Sequence, residues 1–254
     1  MAKIFCLWLA LLVAPTVHAQ EIRVLAAGAA KHALETVLPA FERASGHQVR
    51  ASYDTVGAQR DRVLQAQSGA AADLVVLSDA ALEQLRKAER LAPRPAVSVG
   101  RVVVALAAPA TQPAPDVSDA QRLREALLAA PSIAYADPAR GATAGTHFAR
   151  VLDALDLRPA LAGKLTVLPF GVDVIEAVAQ GRFALGVSQS SEIMGHPGVR
   201  FVGALPAPHG QATAYSAALA SGSAGGAALL DWLARPQALA AFRASGFNPD
   251  PPPR

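Results

Sequence analysis

Five short polar segments follow predicted strands, and their residue types are suited to binding an anion. Each segment combines small, hydroxyl-bearing or charged residues with the start of a predicted helix. In open parallel sheets, ligands bind beyond the carboxyl ends of the strands, where the first helical amides have no partner within the helix. Because all five segments fall at this end of the strands, we predict one shared anion pocket. The segments cover residues 27–32, 54–60, 137–147, 171–173 and 189–192.

The candidate ligand-binding residues come from these five segments. Each segment also has a purely structural interpretation, since Gly and Ala shape turns, and Ser, Thr and Asp cap helices. Their occurrence together at one end of the strands favours binding. The predicted residues are Ala29, Ala30, Lys31, Thr55, Val56, Gly57, Arg60, Arg140, Thr143, Gly145, Thr146, His147, Gly171, Asp173, Gln189 and Ser190.

The common catalytic and metal-binding motifs do not occur in the sequence. It has no G-x-S-x-G, Walker phosphate loop, H-E-x-x-H or Rossmann G-x-G-x-x-G pattern. The histidines lack the spacing of a zinc site, so we predict neither a metal nor an organic cofactor. Only His32 and His147 fall in the ligand-side segments, where either could act as a base or as a neutral hydrogen-bonding group.

Alternating strands and helices must position these segments. Apolar β-branched runs alternate with helical periodicity along most of the chain, which is typical of an α/β protein with parallel strands and crossover helices. A tail over residues 248–254 is predicted to be unstructured. Predicted strands cover residues 22–26, 49–53, 74–77, 101–108, 133–136, 165–168, 184–188 and 214–219, and predicted helices cover 34–45, 59–68, 80–88, 119–129, 146–155, 172–180, 225–234 and 236–244.

The first 19 residues have the three zones of a secretory signal: Lys3, an apolar run and a small-residue cleavage site ending at Ala19. No later apolar run is long enough to span a bilayer, so we expect a soluble, exported, periplasmic protein. Cys6 lies inside this signal, and the mature chain would therefore contain no disulfide. Removing Lys3 from the 23 basic residues leaves 22 against 20 acidic ones. With no basic cluster that includes aromatic residues, we predict no nucleic-acid partner.

Several short motifs occur in an order that resembles the periplasmic molybdate-binding protein family, a branch of the type II solute-binding proteins. The resemblance covers nearly all of the mature chain. It implies two α/β lobes, each with a mostly parallel sheet flanked by helices, joined by two hinge crossings and closing on a ligand. The motifs are Val24 to Ala27, Ala72-Asp73-Leu74, Ser78-Asp79, Asp137-Pro138, Asp173-Val174 and Leu185-Gly186-Val187.

The predicted division of the chain follows its Pro- and Gly-rich passages, which fall where that family crosses between lobes. We predict a signal peptide over residues 1–19, lobe 1 over residues 20–101 together with 211–254, and lobe 2 over residues 102–210.

The sequence departs from the resembled family at the anion site. Members of the family bind a tetrahedral oxyanion with two serine hydroxyls, a tyrosine hydroxyl and backbone amides. This chain has Ala29, Val56 and Gln189 at the corresponding positions. The loss of three hydroxyl donors disfavours molybdate and tungstate. Charged donors such as Lys31 and Arg140 are better suited to one or more carboxylates.

Three functions remain open at this point. The leading hypothesis is a monomeric binding protein that closes on a small organic anion, most simply a tricarboxylate, for an inner-membrane ABC permease. The alternative is an enzyme of the aconitate isomerase type, whose fold this chain also resembles. Its allylic proton shift needs a base and no cofactor, and His147 and His32 are the leading candidates. Lys31, Asp54 and Glu192 are further candidates for that base. The third hypothesis is molybdate or tungstate binding.

Overall fold

The computed structural model describes residues 21–67 and 72–248 of the 254-residue chain. The predicted signal peptide and the predicted tail beyond Asn248 therefore lie outside the described residues. Nine strands occur in the described part, β1 to β9 in chain order: Glu21–Ala27, Gln48–Asp54, Leu74–Ser78, Val97–Pro109, Ile133–Ala136, Leu165–Leu168, Leu185–Gln189, Val199–Ala204 and Ala212–Leu219.

Ten α-helices occur in the same described ranges, together with two short 3-10 turns at Gly28–Ala30 and Pro138–Arg140. None of the helices described in residues 21–67 and 72–248 has the length and apolar character needed to cross a membrane. Helices α1 to α10 are Lys31–Ser45, Val56–Gln65, Asp79–Lys87, Ala120–Ala129, Thr143–Ala154, Arg158–Leu161, Gly171–Ala179, Ser190–Met194, Ala224–Leu233 and Pro236–Ala244.

The strands form a sheet of order β2-β1-β3-β9-β4-β7-β5-β6, with β8 paired to β4 beside this path. β1 runs parallel to β2 and β3, and β5 runs parallel to β6 and β7. The long strand β4 is antiparallel to its neighbours and is shared by both halves: residues 97–103 pair with β9, and residues 104–109 pair with β7 and β8. The chain returns through residues 205–211.

We call the half with β1, β2, β3 and β9 lobe 1, and the half with β5, β6, β7 and β8 lobe 2. Each lobe has its own core: Phe41, Leu77 and Phe242 are fully buried in lobe 1, and Leu127 and Phe148 are fully buried in lobe 2. Two separate cores allow each half to keep its shape while the two halves move. The predicted bounds at 101/102 and 210/211 remain our proposal for where the chain divides.

Three elements were not among the sequence-based predictions: α6, α8 and β8. α6 and α8 span four and five residues, too few to show helical periodicity. β8 is a half-exposed strand in a passage where Gly and Pro indicate loops. Helix α2 also begins earlier than predicted, at Val56, because the Thr55 hydroxyl accepts a hydrogen bond from Ala58 N at 3.1 Å and caps the helix.

We expect Phe148→Ala to destabilise lobe 2 by about 3–5 kcal/mol, because it removes a fully buried ring and leaves a cavity. The Phe148 ring packs edge-to-face against Tyr135 at 5.4 Å between centroids. Urea unfolding would measure the change. Val167→Ala is the matched control on an exposed part of the same lobe, with an expected change below about 0.5 kcal/mol. Equal losses for the two variants would contradict the assigned core.

Candidate functional site

A cavity of about 270 Å³ lies between the two lobes, and we call it the central cavity. Its size suits a small metabolite rather than a peptide. The ends of β1, β2, β5 and β7 and the starts of several helices form its wall, together with one residue of β9. The lining residues are Ala27, Gly28, Ala29, Lys31, Tyr53, Asp54, Thr55, Val56, Ala136, Ala142, Thr143, Ala144, Phe170, Gly171, Val172, Ser188, Gln189, Glu192 and Tyr215.

Several of the predicted ligand-binding residues meet at this wall, from both lobes. They come from all five predicted segments, because the parallel strands of each lobe, β1 and β2 in lobe 1 and β5, β6 and β7 in lobe 2, end at the cleft between the lobes. The predicted residues in the wall are Ala29, Lys31, Thr55, Val56, Thr143, Gly171 and Gln189.

Other predicted residues serve packing instead of lining the cavity. Ala30 is fully buried in the core of lobe 1. At Gly145, helix α5 lies so close to β5 that an added methyl group would be 2.7 Å from the Ala136 carbonyl carbon. Ser190 Oγ accepts a hydrogen bond from Val103 N at 3.2 Å and donates one to Gly246 O at 3.1 Å.

Polar partners hold a further group of predicted residues away from the cavity. Arg60 pairs with Asp61 at 2.7 Å and donates to Gln84 Oε1 at 3.1 Å. His147 Nε2 donates to the carbonyl oxygen of residue 209 at 2.7 Å, so its ring contacts backbone outside the cavity wall. Thr146, the residue before it, does not line the cavity either. Neither His147 nor Arg60 is therefore placed for the role predicted for it.

His32 and Asp173 line a second cleft of about 340 Å³, which adjoins the central cavity and shares Gly28, Lys31, Val172 and Glu192 with it. His32 therefore lies near the site without lining the central cavity. Among residues 21–67 and 72–248, no three His, Cys, Asp or Glu side chains are grouped so that they could hold a metal ion.

Two helices begin at the cavity without a side-chain cap. The residue before α5 and the residue before α7 accept no hydrogen bond from the first helical amides through their side chains. Residues 142–144 and 170–172 at these helix starts line the cavity. Their amides therefore offer hydrogen bonds and a partial positive charge to an anion.

Lys31 supplies the cationic side chain of the wall, at the start of α1. Its Nζ lies 3.9 Å from Glu35 Oε1 and 6.0 Å from the centre of the Tyr53 ring, and the side chain is about half-exposed. Such a weak, solvent-exposed pair holds Lys31 loosely, so the ammonium is free to turn to a ligand. Asp54, also in the wall, accepts from Thr55 N at 2.7 Å.

Glu192 is a carboxyl in the same wall. Its Oε2 accepts hydrogen bonds from Ser188 Oγ and, at 3.3 Å, from Gln189 N. Within the described residues it has no ion-pair partner. Burial raises the pKa of Glu192, and the nearby charge of Asp173 raises it further, although the Ser188 and Gln189 hydrogen bonds act in the opposite direction. A carboxyl in this environment can accept and release a proton nearer to neutral pH.

Two tyrosines in the wall were not predicted from the sequence. Burial, with a contribution from Glu35, raises the pKa of Tyr53 to about 12. Burial also raises the pKa of Tyr215, although a hydrogen bond with Thr143 acts to lower it. Both phenols are therefore neutral donors. Tyr53 comes directly before a predicted segment, but Tyr215 lies in the middle of the antiparallel strand β9, so a search at the carboxyl ends of parallel strands could not find it.

Gln189 is a buried amide that needs a partner. Its side chain is 3% exposed and lines the cavity, and its Nε2 has no hydrogen-bond partner within residues 21–67 and 72–248. A buried donor without a partner costs about 1–3 kcal/mol. A ligand with acceptor oxygens in the cavity would remove that cost.

Contacts between the lobes form the rim of the cavity on the side of Arg140. Thr55 Oγ1 donates to Arg140 O, and Gly57 N donates to Gly141 O at 3.3 Å. The Arg140 guanidinium lies 3.6 Å from Asp54 and stacks on Phe170 at 4.7 Å from the ring centre. Arg140 thus lies at the entrance, outside the lining predicted for it, and Gly57 likewise belongs to the rim.

We expect Gly57→Ala to weaken ligand binding without unfolding lobe 1. The added methyl group would lie 2.9 Å from Gly141 Cα and 3.1 Å from Arg140 O, so it would obstruct closure, whereas Ala is favoured over Gly inside a helix. Calorimetry would measure the dissociation constant of an anionic ligand, and urea unfolding would measure stability. Gly163→Ala, with open space around the position, is the control. Unchanged affinity in Gly57→Ala would show that closure does not need this contact.

The raised pKa of Glu192 predicts a definite pH dependence of stability. Between the ordinary carboxyl pKa and the raised one, the folded protein binds more protons than the unfolded chain, so stability falls as pH rises through that interval. Glu192→Gln removes this titration. We therefore expect the unfolding temperature of Glu192→Gln to rise relative to that of the wild type as pH rises from about 4. Glu83→Gln, at an exposed position of α3, should show no such rise. A constant difference at all pH values would contradict the assignment.

Comparison with known proteins identifies the family of the chain. The bacterial extracellular solute-binding protein family matches residues 22–248. An aconitate isomerase from a Pseudomonas species is 31% identical over 249 residues, covering 93% of this chain and 92% of the relative.

Two solved structures show the fold. The periplasmic molybdate-binding protein of Azotobacter vinelandii has a TM-score of 0.73 at 20% identity, covering 89% of this chain and 98% of its own. The sulfate-binding protein SubI of Mycobacterium tuberculosis H37Rv has a TM-score of 0.69 at 19% identity, covering 92% of this chain and 88% of its own. The predicted α/β fold of the type II periplasmic binding proteins and the resemblance to molybdate-binding proteins are confirmed. The chain belongs to the bacterial extracellular solute-binding protein family.

Proposed function

We propose that the protein encloses a small unsaturated tricarboxylate between its lobes and shifts a proton along its allylic system, with cis- and trans-aconitate as the substrate pair. The observation that carries the proposal is the Glu192 carboxyl, which lies in the cavity wall with no ion-pair partner in the described part of the chain and has a raised pKa. The similarity to an aconitate isomerase over 93% of the chain supports the same reaction.

The position of Glu192 favours catalysis over simple capture of an anion. An ionised carboxylate next to an anionic ligand repels it, so an ionised Glu192 would weaken a site that only binds. A proton-transfer group, in contrast, must be stable both with and without its proton near the working pH. Burial without a cationic partner raises the pKa of Glu192 toward that range.

The proposed reaction needs one base and donors for the charge that develops. The Glu192 carboxylate removes a proton from the methylene carbon of aconitate, and the electron pair of that C–H bond delocalises over the allylic carbons and the attached carboxylates. The same proton is returned to the other end of the allylic system, where the old double bond ended. One carboxyl can perform both steps, and the product has the composition of the substrate.

The remaining wall groups fit the charge of such a substrate. Lys31 and the uncapped starts of α5 and α7 stabilise carboxylates and the dienolate that forms from them. The neutral phenols of Tyr53 and Tyr215 and the unpartnered Gln189 amide donate hydrogen bonds. No metal or organic cofactor takes part in this scheme.

The second candidate function is capture of an organic anion in the periplasm by a monomer that delivers it to an inner-membrane ABC permease. Membership of an extracellular solute-binding family across residues 22–248 supports it. Molybdate or tungstate fits less well. Ala29, Val56 and Gln189 stand in the wall where the resembled family has hydroxyls, although Thr55, Thr143 and Ser188 supply others.

Glu192→Gln decides between catalysis and capture. We expect turnover of trans-aconitate to fall by about 10²–10⁴-fold, the usual contribution of a proton-transfer group. The dissociation constant should stay within a few-fold or improve, because a charge that repels the ligand is removed. Chromatographic separation of the cis and trans isomers measures turnover, and calorimetry measures binding.

The mature wild-type protein and Glu83→Gln on exposed α3 are the controls. Tight binding of trans-aconitate without any cis product from the wild type would favour capture over catalysis. Full activity in Glu192→Gln would exclude Glu192 as the base. A thermal shift with molybdate and none with carboxylates would overturn both organic-anion functions.

A further inference from the structure

The carboxyl of Glu192 occupies space that two glycines leave free, one from each lobe. A methyl group added to Gly171 would lie 2.5 Å from Ser188 Oγ and 2.7 Å from Glu192 Cδ, and closer still to Glu192 Oε2. A methyl group added to Gly28 would lie 3.0 Å from Glu192 Oε1. Carbon atoms of real side chains do not approach this closely, so Glu192 could not stay in place beside an alanine at position 171.

Backbone conformation does not explain these glycines. The φ angles of Gly28 and Gly171 lie outside the left-handed region, which the chain uses at other glycines such as Gly141. Gly171 is the first residue of α7, where alanine would be the better helix former. The constraint at Gly171 is therefore the space taken by a neighbouring side chain.

The two glycines lie beside Glu192 in different lobes. Gly171 and Ser188 belong to lobe 2, as Glu192 does, so their contacts hold the carboxyl within one lobe. Gly28 belongs to lobe 1, so the space beside Glu192 Oε1 is bounded by the other lobe. Opening the lobes would replace Gly28 by water and rehydrate the carboxyl.

We propose that Gly171 and Gly28 are positioning residues for Glu192: Gly171 leaves the space in which the carboxyl is aimed at the central cavity, and Gly28 completes its enclosure when the lobes close. This inference rests on the proposed role of Glu192 in proton transfer. It adds that the position of the Glu192 carboxyl depends on the absence of side chains at residues 28 and 171, and that its hydration depends on closure of the lobes.

The charged and titratable groups around Glu192 also contribute to any pH dependence that is measured. Groups of both signs line the two cavities that meet at Glu192, and each would respond to a change in its position. They are Lys31, His32 and Glu35 on α1, Tyr53 and Asp54 on β2, Asp173 and Glu176 on α7, His196 after α8 and Tyr215 on β9.

Gly171→Ala is the direct test, with trans-aconitate as substrate. We expect kcat to fall at least tenfold with KM within about threefold, because the wall keeps its other donors while the carboxyl is displaced. The acid limb of the kcat–pH profile should move to lower pH, because a displaced carboxyl is better hydrated and loses its proton more readily. A purely structural role for Gly171 would leave that limb in place.

Glu192→Asp provides the rescue. The shorter side chain withdraws the carboxyl from an added methyl group, so the double variant Gly171→Ala/Glu192→Asp should be more active than the product of the two single effects predicts. Gly163→Ala is the control, since nothing lies within 4 Å of the added methyl group. Gly28→Ala, with its milder contact, is the second variant should Gly171→Ala fail to fold, and its profile should shift in the same direction.

A readout without ligand separates this inference from the proposed function. The pH-dependent gap in unfolding temperature between the wild type and Glu192→Gln should shrink when both carry Gly171→Ala. If the wild type produces no cis-aconitate but this gap shrinks, the proposed reaction fails and the positioning role stands. An unshifted profile together with an unchanged gap would overturn the inference, whatever the wild type does with aconitate.

Discussion

Removal of one carboxyl group from water is the constraint on which the site depends. Glu192 lies where the two lobes meet, with a hydroxyl and a backbone amide as its hydrogen-bond donors and no cationic partner in the described chain. In an apolar pocket, a carboxyl retains its proton more strongly than in solution. The other groups of the wall make this tolerable for an anionic ligand: Lys31 and two uncapped helix starts face the same space.

Charge is divided between the interior of the cavity and its entrance. Arg140 contacts Asp54 and the Phe170 ring at the rim and does not reach the lining. A guanidinium in this position attracts anions as they approach, while Lys31 and neutral donors line the interior. The backbone contact of Gly57 with Gly141 and the bond from Thr55 to Arg140 O join the lobes independently of any ligand charge.

The alternation of apolar runs sufficed to predict the fold class, and within each lobe the parallel strands bring their carboxyl ends to the cleft between the lobes. That geometry explains why Ala29, Thr143 and Gly171, distant in sequence, share one wall. Side-chain direction could not be predicted in the same way. His147 is only four residues from Thr143 on α5 and contacts backbone outside the wall.

The sequence offered Glu192 as one of five candidate bases and could not single it out. Glu192 lies in α8, a helix of five residues with no periodicity to reveal which face is inward. Tyr215 lies in the middle of the antiparallel strand β9, and the sequence gives no sign that this position is close to the ends of the parallel strands. The small residues at 28 and 171 look like ordinary turn and helix-start residues until the volume of their neighbour is known.

Ser190 gives the arrangement a mechanical consequence. Its hydroxyl joins Val103, on the strand that both lobes share, to Gly246 beyond the last helix. Ser190 is thereby bonded both to the strand that the lobes share and to the last part of lobe 1, and Glu192 follows it by two residues on α8. Any movement of one lobe against the other would therefore act on Glu192 through a short helix that is tied to both of them.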